Sequence, residues 1–422
     1  MQALTASVAL QVFNAVTGIV LARGLMPGER GTLAAAILWP GLLSSLIAFG
    51  VADAIAYRSS AHPDERASLL STGIVMSLAL SLVATPIGLV LLPRLLSHYG
   101  SDAVESSKLF LLYIPLYLTW QNMAAVLLGA LHTVEFNVAR ILQVGLAAAG
   151  IVALALGHLG SVRGFVIVYL VANAGTLGYV VWRAMRLRLE IRRPSGRIGW
   201  AVLSYGARSH LGTVSGITNE YLDQAVISVV LPASQLAYYA IATSVLTPMV
   251  LLGTSLGMMA MPSLASQPDE SIRARNVARY TRVTLALEVG LALAIFAVIP
   301  ILIVALFGHP YEPAVIPAHI LVFAAVFLGT NRLLSAGLRA SNRPLTAGTA
   351  DLIASVATVA GLVVLIPKMG IAGAAVTSLC AYGVATVFYS VALRRLLGAS
   401  YAALLVARPS DFRFILRRML GH

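Results

Sequence analysis

Cysteine is nearly absent: Cys380 is the single one in 422 residues. One thiol excludes an intrachain disulfide framework, a cysteine-based metal site and an iron–sulfur cluster, and its apolar surroundings suggest a small buried residue. Charge is scarce too, at 11% of residues, where a soluble domain carries about 25%. Sixteen acids and twenty-nine bases cannot coat a water-facing surface for so long a chain, so lipid is the solvent for most of it. The chain also lacks a G-x-x-x-x-G-K-[ST] loop, which excludes transport powered by ATP bound at such a site. His210 and His319 stand without metal-ligand spacing, so the expectation is no metal, and no cofactor is implied.

What the chain has is long apolar runs. Windows of about 20 apolar residues, the length a bilayer core demands of a helix, can be laid down twelve times. They fall near 3–22, 32–57, 69–92, 109–131, 138–157, 162–183, 204–231, 236–262, 283–307, 315–337, 345–366 and 370–393. With both termini inside, only Arg23, Arg30, Arg94, Lys108, Arg163 and Lys368 fall in external loops, and Arg208 and Arg332 lie within helices. The other twenty-one bases face the cytoplasm, which sets the orientation and answers the net charge of +13. The basic clusters at 183–197, 273–282 and 394–418 therefore point to anionic inner-leaflet lipid, not to nucleic acid. In the last, Phe412, Ile415, Leu416 and Met419 alternate with Arg413, Arg417 and Arg418 as in an interfacial amphipathic helix.

The seventh span repeats the first. Leu-Met-Pro at 25–27 corresponds to Val-Leu-Pro at 230–232, and Asn14 to Asn219, at one offset; Gly164 and Gly373 open the sixth and twelfth spans at nearly the same offset. A repeat of six spans is parallel. The expected fold class is an all-α integral membrane protein with twelve transmembrane helices in two six-helix bundles, related by a parallel pseudo-twofold around a central cavity. Its divisions are an N-terminal bundle at 1–183, a basic cytoplasmic linker at 184–203, a C-terminal bundle at 204–393 and a basic amphipathic tail at 394–422.

Three stretches carry a family resemblance: Val20-Leu-Ala-Arg-Gly-Leu-Met-Pro-Gly-Glu-Arg-Gly31, Tyr221-Leu-Asp-Gln-Ala-Val-Ile-Ser-Val-Val-Leu-Pro-Ala-Ser-Gln-Leu-Ala-Tyr-Tyr239, and Gly370-Ile-Ala-Gly-Ala-Ala-Val-Thr-Ser378. They are similar to the turn after helix one, the helix-seven segment and the opening of helix twelve in Wzx-type polysaccharide flippases of the multidrug/oligosaccharidyl-lipid/polysaccharide exporter superfamily. The resemblance implies a transporter, not an enzyme, of the bacterial inner membrane that flips undecaprenyl-diphosphate-linked oligosaccharide to the outer leaflet by alternating access coupled to an ion gradient. It also implies polysaccharide polymerase and chain-length machinery as partners. The alternative within the superfamily is an H⁺- or Na⁺-coupled multidrug or cation antiporter.

Ionisable groups inside spans are costly and so become candidates for function; here they are Asp53, Arg208, Glu220, Asp223, Glu288, Arg332 and Asp351. On helix seven Arg208, Gly212, Ser215, Asn219 and Asp223 step along one side, and on helix one Ser7, Gln11, Asn14 and Gly18 do the same. Such stripes face a cavity or bond across packed helices. A diphosphate needs a bidentate guanidinium, so Arg208 and Arg332 are the expected headgroup bases, with Ser7, Gln11, Asn14 and Asn219 lining the path. Asp223 and Glu220 are the expected ion-coupling acids. Arg208 or Arg332 could instead form a buried ion pair with Asp351, Glu288 or Asp53. Pro40 and Pro248, in spans two and eight, are candidate bending points.

Overall fold

A computed structural model describes residues 2–267, 269–397 and Asp411; the side chains of 2–5, 7, 211–220, 344, 396 and 397 lie outside the described set. The order is α1 (Gln2–Gly24), α2 (Pro27–Ile47), α3 (Val51–Ala61), α4 (Arg66–Leu95), α5 (Ser101–Phe110), α6 (Tyr113–Gly129), α7 (Thr133–Leu156), α8 (Val162–Arg186), α9 (Gly196–Val230), α10 (Ala233–Ser244), α11 (Thr247–Ala265), α12 (Glu270–Phe307), α13 (Val315–Ala340) and α14 (Pro344–Leu397). All twelve expected segments fall on helix. Among the described residues, nine stretches are long and apolar enough to cross a membrane, the last of them Leu345–Arg395. At 1.5 Å per residue those 51 residues would span about 77 Å if straight, more than twice a bilayer core.

The chain does not run straight there. Gly370 has φ 57° and ψ −136°, a conformation open essentially to glycine alone, and it separates two helices inside α14. Gly373 then lets the returning chain close up: a Cβ at that position would stand 2.3 Å from the Leu365 carbonyl oxygen. Other expected spans are interrupted as well. Phe49 and Gly50, both with positive φ, divide the second span into α2 and α3. Leu111 and Leu112 divide the fourth into α5 and α6, and Val245 and Leu246 divide the eighth into α10 and α11. Pro248 lies in the first turn of α11, just past such a break, whereas Pro40 sits inside an unbroken α2.

Helix starts are chemically marked. Ser161 Oγ accepts from Gly164 N at 3.0 Å to cap α8. Asp269 caps α12 by accepting from Ser271 N at 2.8 Å and Ile272 N at 3.3 Å, so the basic 273–282 cluster lies on the opening turns of a 38-residue helix and not in a loop. The hydrogen bonds from Ser271 and Ile272 hold the Asp269 carboxyl below its ordinary range. Pro27 opens α2 at the first-turn position proline tolerates. Its expected repeat partner, Pro232, immediately precedes α10.

The helices form two compact units, Met1–Ala237 and Tyr238–His422. Lipid tails are as apolar as leucine, so helix association in a membrane depends on close packing and internal hydrogen bonds. The first unit shows both. A Cβ on Gly129 would meet the Ala56 carbonyl at 2.3 Å, one on Gly206 would meet that of Phe49 at 2.4 Å, and one on Gly31 would meet that of Ala233 at 1.7 Å. Trp120 Nε1 donates to Asn173 Oδ1 at 3.1 Å, Asn122 Nδ2 to Ser77 Oγ at 2.8 Å, and Trp39 Nε1 to Ser228 Oγ at 3.0 Å. The second unit has a core of Leu264, Val277, Leu333, Leu338, Tyr389 and their neighbours. Outward faces are apolar, with Leu82 on α4 76% exposed, as contact with lipid requires.

Cys380 is exposed, against expectation. The second half of α14 buries Ala374, Thr377, Ser378 and Ala381, and residue 380 lies about 200° around the helix from Ser378. In the tail, Asp411 is buried against Arg282, whose Nε and Nη2 donate to its two carboxylate oxygens at 2.8 Å each. The amphipathic pattern of Phe412, Arg413, Ile415, Leu416, Arg417, Arg418 and Met419 lies outside the described residues.

Candidate functional site

In the first unit, α9 carries two of the expected site residues with described side chains. Arg208 is exposed, and its Nε donates to the Ser204 carbonyl of the same helix at 3.0 Å. No acid lies within ion-pair distance of it among the described residues. Asp223 is buried and accepts from Gln224 N at 2.7 Å. Between them, the side chains of Asn219 and Glu220 lie outside the described residues, as does that of Ser7 on α1. Gln11 is half-buried and Asn14 exposed, while the Phe13 ring would stand 3.6 Å from a Cβ on Gly145 of α7. One step along from Phe13, Asn14 is turned about 100° from that contact.

A group of aromatic side chains in the same unit escaped the sequence reading. Along α6, Phe110 of α5 stacks on Tyr113 at 4.9 Å, Tyr113 on Tyr117 at 4.9 Å, and Trp120 meets Tyr117 edge-on at 5.6 Å. Gln121 hydrogen-bonds Tyr117, Arg140 acts electrostatically on it, and Tyr221 of α9 acts on Tyr113. The spacing 110, 113, 117, 120 follows a helix face and was legible as such. Here hydroxyls, an amide and a guanidinium accompany the rings.

In the second unit, Arg332 of α13 is half-buried and donates through Nη1 to Thr254 Oγ1 of α11. Its neighbour Asn331 donates to the Tyr382 carbonyl at 3.0 Å and accepts from Thr386 Oγ1 at 2.7 Å. Of the acids that could have paired with Arg332, Asp351 instead accepts from the Tyr389 hydroxyl at 2.7 Å and faces Arg339 at 3.9 Å. Glu288 is fully buried, and among the described residues neither of its carboxylate oxygens has a hydrogen-bond partner. Asp53 is exposed. The two histidines are held by backbone: His210 Nε2 lies 2.9 Å from the Leu46 carbonyl oxygen, and His319 Nε2 3.1 Å from that of Phe296. Among the described residues, no three His, Cys, Asp or Glu side chains gather as metal ligands would.

Where α3 meets α4, Glu65 pairs with Arg58 and lies 3.8 Å from Arg197, while Arg66 Nε donates to the Ser59 carbonyl at 2.8 Å. Glu135 likewise pairs with Arg183. These bases are occupied in holding helix ends together. The carboxylate partners of Arg58 and Arg183 separate them from Arg332, held by a hydroxyl, and Arg208, held by a carbonyl.

The sequence and the fold have known relatives. The chain is 24% identical, over 76% of its length and 68% of the relative's, to the "probable low-salt glycan biosynthesis flippase Agl15" of Haloferax volcanii. Its fold matches lipid II flippase MurJ in an inward closed conformation with a TM-score of 0.78 at 14% identity, covering 99% of this chain and 91% of that one. It also matches an inward-facing multidrug resistance MATE family transporter of the MOP superfamily with a TM-score of 0.71 at 17% identity, covering 93% and 96%. The family described as polysaccharide biosynthesis protein matches residues 20–316, and with more than half of its length so matched, this multi-pass membrane chain belongs to that family.

Proposed function

We propose that the protein is a flippase that moves an undecaprenyl-diphosphate-linked oligosaccharide from the inner to the outer leaflet of a bacterial inner membrane, by alternating access and without enzymatic chemistry. Its twelve spans form two six-helix halves, 1–183 and 204–393, around a central path, with the basic 184–203 linker and 394–422 tail on the cytoplasmic side with both termini. Arg208 and Arg332 receive the diphosphate; Ser7, Gln11, Asn14 and Asn219 line the path; Asp223 and Glu220 couple transport to an ion gradient. Anionic inner-leaflet lipids meet the basic cytoplasmic segments, and the polymerase and chain-length machinery take the product on the far side.

The observation that carries this reading is the state of Arg332. A guanidinium inside an apolar helical unit, held by a threonine hydroxyl and, among the described residues, without a carboxylate hydrogen-bonded to it, keeps donors available for a bidentate anion. The aromatic group on α6, with Gln121 and Arg140, offers faces and donors of the kind sugars use. Buried Asp223 and Glu288 favour a second reading, the cation antiporter, because acids attract cationic drugs.

Thermal stability of the purified chain separates the two. Undecaprenyl diphosphate is expected to raise the Tm of wild type and to lose that effect in Arg332→Ala, with a cationic dye giving no shift in either. A dye-induced shift that disappears in Asp223→Asn, with no response to the diphosphate, would select the antiporter.

A further inference from the structure

The second unit holds a polar site that the expected ion-coupling acids do not use. Glu288 is 0% exposed and both its carboxylate oxygens lack partners; Thr284, also 0% exposed, has an unpartnered Oγ1. The two are four residues apart on α12 and so share a face. Glycines from two neighbouring helices make room for the carboxyl. A Cβ on Gly329 of α13 would stand 2.1 Å from Glu288 Oε1, and one on Gly253 of α11 would stand 3.0 Å from the same atom and 2.6 Å from Gly329 Cα. Any larger residue at either position would press on this carboxyl or on the neighbouring helix.

The surroundings decide what such a group can bind. α11 has no titratable side chain. From α13 the charge that acts on Glu288 is that of Arg332, one turn past Gly329. Arg339 of α13 and Tyr389 of α14 are engaged with Asp351, His319 bonds the Phe296 carbonyl, and the Tyr382 carbonyl accepts from Asn331. On α12, Arg279 and Arg282 are paired with Asp411, and Tyr280 donates to Ser263. His309 and Glu312 follow the far end of α12, about 30 Å from Glu288 by helical rise. A bare carboxylate here accepts no hydrogen bond in the observed arrangement, which is costly, whereas a neutral carboxyl carries its own proton. Two carboxylate oxygens and one hydroxyl are also too few for a hard metal cation, which takes about six oxygens.

We propose that Glu288, with Thr284 beside it, is a proton-binding site within the second unit, and that its proton controls whether Arg332 is free to hold a phosphate. The second half of this rests on the diphosphate reading above. When the proton leaves to water, the carboxylate left behind draws Arg332 from Thr254, and the guanidinium is lost to the anion. Linkage makes the effect reciprocal: a diphosphate on Arg332 tightens proton binding at Glu288 by the factor by which the proton tightens diphosphate binding.

Infrared spectra of the full chain in lipid vesicles, recorded across pH, test both halves. Wild type is expected to show a protonated-carboxyl band at neutral pH that Glu288→Gln lacks and that disappears in alkali. Adding undecaprenyl diphosphate is expected to move its midpoint up by about one pH unit, a tenfold change in proton affinity, in wild type but not in Arg332→Ala. Should Glu288→Gln fail to fold, Glu288→Asp keeps the proton and displaces the band, which identifies it equally well. Identical carboxyl spectra in wild type and variant overturn the proton site. A midpoint unmoved by bound diphosphate overturns the link to Arg332. If wild type binds no diphosphate while the band titrates as described, the headgroup reading fails and the proton site stands.

Discussion

At the scale of single residues, the contrast that matters is between bases already neutralised and bases held only by neutral groups. Arg58, Arg183 and Arg282 have carboxylate partners, and Arg332 has a hydroxyl. Removing a hydrogen bond to a charged group costs about 1.5–3 kcal/mol, so Arg332→Ala should weaken diphosphate binding by about tenfold or more, measured by titration of the purified chain. Arg332→Lys should recover part of it, since an ammonium keeps the charge and loses the fork. Arg282 and Asp411 predict a different outcome. Their pair is buried, and Asp411→Asn leaves an uncompensated guanidinium, at a cost of about 3–5 kcal/mol that a lowered Tm would register while diphosphate affinity stays unchanged. The candidate bases were legible in the sequence because an ionised group within an apolar run is conspicuous. Their partners were not, since Thr254 lies 78 positions from Arg332 and Asp411 lies 129 from Arg282. Nor could the pattern show that Asp351 would be taken by Tyr389, leaving Glu288 alone.

At the scale of elements, hydropathy placed its apolar segments on helix but missed most of α5, the first turns of α12 and the breaks. A window of about 20 residues averages over Phe49-Gly50 and over Val245-Leu246, where apolar side chains continue although the helix does not. Gly370 was visible as part of a glycine-rich motif, but not as the residue that turns the chain. Its φ and ψ exclude a side chain, so Gly370→Ala should cut folded yield in membranes sharply, read by fluorescence-detected size exclusion, whereas Ala at Gly348, with nothing within 4 Å of a Cβ, should not. The cap of α12 gives a pH prediction. Because hydrogen bonding lowers the Asp269 pKa, its contribution is complete above the ordinary aspartate range and is lost as pH falls through the depressed value. Amide exchange in the first turn of α12 should therefore accelerate in acid, and Asp269→Ala should show that faster exchange at neutral pH too.

For the whole molecule, the scarcity of charge, the apolar runs and the uneven placement of bases together specify a multi-pass helical membrane protein. Family membership over residues 20–316 and a fold shared with MurJ and MATE structures agree with it. The compact units divide at 237/238, inside α10, while the proposed repeat divides near 204. The two describe different things: a repeat follows the order of the chain, whereas a unit follows packing, and α9 packs against α2 through Trp39 and Ser228 and against the α2–α3 break through Gly206. Transport itself requires that a lipid-linked sugar change leaflet. Proteoliposomes containing the purified chain and a fluorescent undecaprenyl-diphosphate oligosaccharide, with a membrane-impermeant quencher outside, measure that event directly. Wild type should make nearly all the label accessible to the quencher while Arg332→Ala leaves about half protected; protection unchanged by wild type, in vesicles that do exchange a cationic dye for protons, would contradict the flippase.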